Sequence, residues 1–163
     1  MDSDVSAQPV PYVLPAGAGT PGAAPEGSQM LLKATAAQTG GMFGMVEGVD
    51  RPGFATILHR HDAAEAWYIL DGDYDYYVDG QWLSAGVGAF VFVPGGLPHG
   101  LRAGGAGGRK LTLIMPGGME GFFQDVHTKL ERGELSQEAL GELGRQYHIA
   151  ALGPLPETPV SSG

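Results

Sequence analysis

The sequence contains no cysteine. That excludes disulfides, thiolate zinc sites and a cysteine nucleophile together, and it fits a reducing compartment. Asparagine is also absent, and basic residues are scarce: nine Lys and Arg stand against eighteen Asp and Glu, for a formal net charge of −9. A polyphosphate partner meets net repulsion with no Lys/Arg cluster to offset it locally, so neither nucleic acid nor an anionic membrane is expected as a partner. No apolar run approaches the roughly 20 residues that span a bilayer. The first residues, Met1-Asp2-Ser3-Asp4, lack the positive charge and apolar stretch of a secretory signal. The cytoplasm is the expected location.

Glycine and proline are plentiful, at 28 and 12 of 163 residues, which suggests many turns between short strands rather than long helices. A chain of this length is read as one domain whose core needs no covalent staple. Residues 1–28, rich in Pro, Gly, Ala and Ser, read as a loose arm over the domain or a partner subunit, with only Val10–Leu14 looking ordered. Gly17-Ala18-Gly19-Thr20-Pro21-Gly22 matches the dinucleotide-binding pattern by letter, but nothing after it starts a helix, so that reading is rejected. From Met30 to Met115 the signals are short strands: 30–36, 42–47, 54–59, 66–70, 74–79, 89–93, 99–102 and 110–115. Asp79-Gly80 between two of them is a tight hairpin signal, and the run 104–108 reads as a plain loop. This pattern implies a mainly β sandwich or barrel over residues 29–116. Over 117–150 the period becomes helical. Met119, Phe122, Phe123, Val126 and Leu130 predict one helix stopped by Gly133, and Ser136 caps a second that runs to Tyr147. Residues 151–163 read as a flexible tail.

His59-Arg60-His61 places two imidazoles at i and i+2, on one face of a strand. Glu65 follows at the start of the next apolar run, and His99 follows the rigid turn Pro94-Gly95-Gly96-Leu97-Pro98, which can return a distant strand to the pair. Three imidazoles and a carboxylate make a mixed N/O site suited to one divalent ion of iron, manganese, nickel, copper or zinc. Such a set leaves one or two positions open on an octahedral ion, which suits exogenous ligands rather than structure alone.

The glycine and proline frame sharpens this. Gly53, His59, His61, Glu65 and Gly72 stand at the spacing of the first cupin motif, and Gly88, Pro94, Gly96 and His99 at that of the second, with residues 73–87 between them. The sequence therefore resembles the cupin superfamily over residues 53–99. The segment Pro116–Phe123 is similar to one in small single-domain cupins of the quercetin dioxygenase type. The resemblance implies a β jelly roll with His59, His61, Glu65 and His99 as metal ligands. One departure is Ala103, where the family often has asparagine; that position usually supports the turn rather than the metal.

Other candidates read as structure. Asp71-Gly72-Asp73-Tyr74-Asp75 begins like a calcium loop but has Tyr76 and Trp82 where glycine and glutamate are needed, so it reads as a polar turn. His127 and His148 lack partners at ligand spacing, Arg60 should face away from its neighbours, and Glu120 suits either a solvated helix start or the barrel mouth. Trp67 and Ile69 share strand parity with Glu65 and, with Phe92 and Phe122, are the expected substrate pocket. Tyr68 and Leu70 on the opposite face suggest a covered exterior and hence a homodimer. The expected activity is that of a quercetinase-like dioxygenase acting on a small phenolic or enolisable molecule, with dioxygen as co-substrate and Glu65 as a base. The alternatives are a non-redox metal enzyme (isomerase, cyclase, epimerase or lyase) and a ligand-binding or sensor protein without catalysis.

Overall fold

The computed structural model describes residues 8–157, which hold nine strands and three helices. In chain order these are β1 (Thr20–Ala23), β2 (Gln29–Ala34), α1 (Ala36–Thr39), β3 (Gly44–Asp50), β4 (Leu58–Arg60), β5 (Ala64–Val78), β6 (Gln81–Ala85), β7 (Phe90–Val93), β8 (His99–Met115), α2 (Glu120–Glu131), α3 (Gln137–Gln146) and β9 (Ala150–Gly153). One path runs β1-β2-β3-β8-β4-β9, and β5 joins it by pairing with β8 while carrying β6 and β7 on its other edge. The sheet is antiparallel and does not close; it curls into a jelly roll. No helix among the described residues is long and apolar enough to cross a membrane.

Two long strands replace four expected short ones. β5 and β8 pair from Ala64↔Met115 to Val78↔His99, with irregularities between Ile69 and Asp71 and between Gly72 and Tyr74. On β5 the buried inward residues are Glu65, Trp67 and Ile69 before the irregularity, then Tyr74 and Tyr76 after it. On β8 they are His99, Leu101 and Ala103, then Lys110, Thr112 and Ile114. In each strand the extra residues of the bulge switch the parity, so both halves still face inward. The run 104–108 is therefore part of a strand, not a loop, and 71–75 is a bulge, not a turn. Glycine is required because the backbones nearly touch. A Cβ at Gly72, where φ is +76°, would lie 2.1 Å from Gly107 O, and one at Gly108 would lie 2.6 Å from Tyr74 Cε2.

The Asp79-Gly80 hairpin forms as expected, with positive φ at both residues and Val78 paired with Gln81. Both terminal segments are more structured than their composition suggests. β1 lies within the arm expected over 1–28, and β9, which runs from Ala150 into the tail expected over 151–163, pairs with β4. The remainder of those expectations, residues 1–7 and 158–163, lies outside the described residues.

Helices α2 and α3 form where the helical period predicts, with Ser136 Oγ accepting from Ala139 N and Gly133 at φ +66° ending the first. Phe122, Val126 and Leu143 pack them onto Ala23. The additional turn α1 ends on the left-handed Gly40. Glu120 neither faces the barrel mouth nor meets solvent: it is buried, and its carboxylate accepts from Ala36 N (2.5 Å) and Gly118 N (2.6 Å), fastening the start of α2 to α1. The main core, Phe54, Trp67, Ile69, Tyr74, Tyr76, Val91, Val93 and Leu101, fills the roll beside the cavity described below.

The close backbone approach at the bulge predicts that Gly72→Ala lowers stability by ~3 kcal/mol, through positive φ plus a clash. Gly80→Ala, with positive φ but open space, should lose only ~1–2 kcal/mol. Urea unfolding of the two variants checks the order.

Candidate metal centre

The two motifs meet through main-chain contacts. Gly96 N donates to His61 O (2.8 Å), and a Cβ at Gly95 would lie 2.0 Å from Asp62 O. The turn 94–98 thus seats directly on the segment between β4 and β5. In the same register His59 on β4 pairs with His99 on β8. His59, His61, Glu65 and His99 each offer a ligand atom within 4.8 Å of all the others. His61, Glu65 and His99 are buried, while His59 is half-buried at the edge.

Each imidazole is oriented by a backbone carbonyl. His59 Nδ1 donates to Ile57 O (2.8 Å), His61 Nδ1 to Ala63 O (2.9 Å) and His99 Nδ1 to Leu97 O (2.8 Å). A carbonyl can only accept, so Nδ1 carries the proton in all three neutral rings and each Nε2 presents a lone pair. His61 Nε2 lies 2.6 Å and His99 Nε2 3.0 Å from the same oxygen, Glu65 Oε1. His61 Nε2 is buried without a hydrogen-bond partner of acceptable geometry. Lone pairs facing a carboxylate this closely call for a cation between them, a proton or a metal. Backbone-fixed tautomers of this kind are how metal-binding histidines are held. The donor set fits a divalent transition metal.

The titration behaviour follows from the same packing. Burial and the neighbouring His99 push His59 down to about 4. Burial also opposes charge on His61, but the Glu65 carboxylate outweighs it and raises that ring above its ordinary value. Burial alone would raise Glu65; its contacts with His61 and His99 prevail and hold it well below the usual carboxylate range.

The four side chains open onto a cavity of ≈ 120 Å³, mostly apolar, whose wall includes Phe54, Trp67, Leu101, Phe122, Phe123 and Ile149. Of the expected pocket residues, Trp67 and Phe122 line it. Ile69 does not; it shares Glu65's inward parity but lies deeper, in the core. Phe92 points outward and is 53% exposed, because β7 pairs Val93 with Glu65 and Val91 with Trp67, which sends Phe90 and Phe92 to the other face. Lys110 and Thr112 also line the cavity and were not legible as site residues, since an isolated Lys in a strand normally faces solvent. Arg60 is exposed, as expected.

A family model described as "Cupin domain" matches residues 48–115, the stretch that carries all four side chains. This chain contains a cupin domain. The cupin is 32% identical over 125 residues to quercetin 2,3-dioxygenase of Bacillus subtilis, an alignment covering 72% of this chain but only 35% of that protein. In fold it is similar to an RmlC-like cupin from Shewanella frigidimarina, with a TM-score of 0.58, 18% identity, and coverage of 68% of this chain and 95% of that one. An oxalate decarboxylase variant from Bacillus subtilis gives a TM-score of 0.57 at 19% identity, covering 87% of this chain and 43% of that one. The cupin fold agrees with the jelly roll described above, and the four-residue cluster could hold a metal ion.

A proton on His61 competes with a metal for Nε2. Apparent metal affinity should fall at least tenfold per pH unit once the pH drops below the raised value of His61. In metal-free protein the raised His61 contributes stability that is full below its unfolded value of 6.5 and lost as pH rises through the folded one. Glu65, lowered from 4.5, contributes above that value and loses its contribution only in stronger acid. His59, lowered to about 4, acts in the opposite sense and costs stability as pH falls through 6.5. The two rings therefore offset one another in metal-free protein, and the Tm gained on metal loading should be larger at pH 8 than near pH 5.5. Thermal melts with and without chelator at the two pH values would read that difference.

Proposed function

We propose that this cupin is a metal-dependent oxygenase acting on a small phenolic or enolisable substrate. The carrying observation is the convergence of three Nε2 lone pairs and one carboxylate at the wall of an apolar cavity. The similarity to quercetin 2,3-dioxygenase supports oxygen-dependent chemistry. A divalent transition metal bound by His59, His61, Glu65 and His99 would supply Lewis acidity and, if redox-active, electron exchange with dioxygen.

The residues of the chain do the rest. Trp67, Phe122 and Phe123 present apolar surface to a ring and exclude water. Glu65 is the base: burial raises its pKa, and only its contacts to His61 and His99 keep it low. If Oε1 turns from those rings toward a substrate hydroxyl, the lowering contacts are lost and the buried carboxylate becomes basic enough to take the proton. His61 and His99 stay oriented meanwhile through their Nδ1 bonds to Ala63 O and Leu97 O.

Glu65→Gln should retain much of the metal while turnover falls by roughly 10²–10⁴-fold. Metal analysis by mass spectrometry, beside oxygen uptake with a panel of phenols, checks both halves. Normal turnover in the variant would remove the base role, and turnover that proceeds equally without oxygen would favour isomerase, cyclase, epimerase or lyase chemistry.

The outer face of β5 and β7 leaves Tyr68, Phe90 and Phe92 exposed side by side, with Tyr68 paired to Phe90. We assign the expected homodimer to this face. Light scattering should give twice the chain mass for the native protein and the single-chain mass for Phe90→Glu/Phe92→Glu; a native monomer would reject the assignment.

A further inference from the structure

The cavity holds a charged group that the oxygenase reading does not use. Inward residues of β5 and β8 pair as Glu65↔Ile114, Trp67↔Thr112 and Ile69↔Lys110. At about 3.3 Å per residue, Lys110 is thus anchored roughly 13 Å along the sheet from Glu65, with Trp67 midway. The Lys110 side chain is 3% exposed. It lines the same cavity as the four candidate ligands, and no other Lys or Arg does so.

Its surroundings are built for an ammonium. Residue 48 on the neighbouring strand is glycine, and a Cβ there would lie 3.4 Å from Lys110 Nζ. Nζ donates to Asp50 Oδ2. Asp50 is satisfied on both oxygens, since Tyr74 Oη donates to Oδ2 (2.5 Å) and Ser28 Oγ to Oδ1 (2.6 Å). The ammonium is not satisfied. It has three N–H donors, and among the described residues Asp50 is its one oxygen acceptor. Its other close neighbours are the ring faces of Phe54 (5.6 Å) and Tyr74 (5.1 Å). A purely structural ion pair in so dry a place would be expected to surround both partners with hydrogen bonds. Here only the carboxylate is surrounded, and donor capacity is left beside the cavity.

We infer that Lys110 is a substrate-binding residue whose ammonium receives a carboxylate or other anionic oxygen at the end of the ligand remote from the four-residue cluster. The ligand class is then a small, flat molecule with an oxygen at each end and an apolar middle against Trp67. The inference rests on the metal-centre reading for the near end and specifies the far end. It makes Lys110 a discriminator between anionic and neutral compounds of equal size.

The test is calorimetric titration of the full-length, zinc-loaded chain at pH 7 with 4-hydroxybenzoate and with 4-methylphenol, a neutral molecule of similar size. Wild type should bind the carboxylate at least tenfold more tightly. In Asp50→Asn/Lys110→Met, which removes both charges while leaving an amide that accepts from one of the Ser28 and Tyr74 hydroxyls and donates to the other, the preference should shrink to twofold or less, with zinc content and urea midpoint close to wild type. Lys110→Gln, which keeps a donor to Asp50, is the second variant under the same criterion should the first not fold. A wild-type preference below twofold, or one that survives loss of the ammonium, would overturn the inference. If the chain takes up no zinc, the metal reading fails separately, and the same ratio on metal-free protein still judges Lys110.

Discussion

The three candidate imidazole ligands are each oriented by a main-chain carbonyl. Ile57 O, Ala63 O and Leu97 O each accept from an Nδ1 two residues away in sequence. The consequence is electrostatic: with every Nδ1 proton committed outward, the interior of the cluster contains acceptors only. Such a set is poorly compensated unless a cation joins it. Gly96 N on His61 O and the β4–β9 pairing brace the two least supported segments. The chemistry proposed for the cavity depends on those turns keeping their shape.

The second constraint is parity. Because β5 and β8 switch faces at their bulges, a single pair of strands supplies His99, Glu65, Trp67, Thr112 and Lys110 to the interior while also filling the core with Tyr74, Tyr76 and Leu101. Without the bulges, one half of each strand would present its polar face to the core, and either the ligands or the aromatics would be lost from the inside. Glycines at 72, 107 and 108 make the switch possible at the point where the two backbones come closest. The candidate ligands and the buried Lys110–Asp50 pair are therefore arranged along one ladder, the former at one end and the latter farther in.

The four-residue cluster was legible in the sequence because its information is local: two histidines at strand spacing, a nearby glutamate, and turns written in glycine and proline. The hairpin at Asp79-Gly80 and the Ser136 cap were legible for the same reason. The parity switch was not. A period-2 reading sees each half of β5 and β8 with its own consistent face, so it divides one strand in two and puts a loop at 104–108. Phe92 failed similarly, since the alternating Phe90-Val91-Phe92-Val93 does not say which pair faces inward; the pairing of Val93 with Glu65 decides that. Lys110 needed a partner sixty residues away, Asp50, before its burial made sense. β9 in a tail of small and proline residues is stabilised by pairing with β4, a purely tertiary cause.

Size bears on what the cavity can accept. An apolar cavity of about 150 Å³ holds one benzene ring, and the cavity here, which is partly open, has a volume of ≈ 120 Å³. The limit is imposed by the C-terminal segment as much as by the roll, for Phe122 and Phe123 from α2 and Ile149 before β9 form part of the wall. The aligned part of the quercetin 2,3-dioxygenase is only 35% of that protein, so the likeness does not extend to most of that protein's surfaces. In this chain Phe122 and Phe123 of α2 and Ile149 before β9 close one side of the cavity, and Lys110 gives its otherwise apolar strand wall a cationic group.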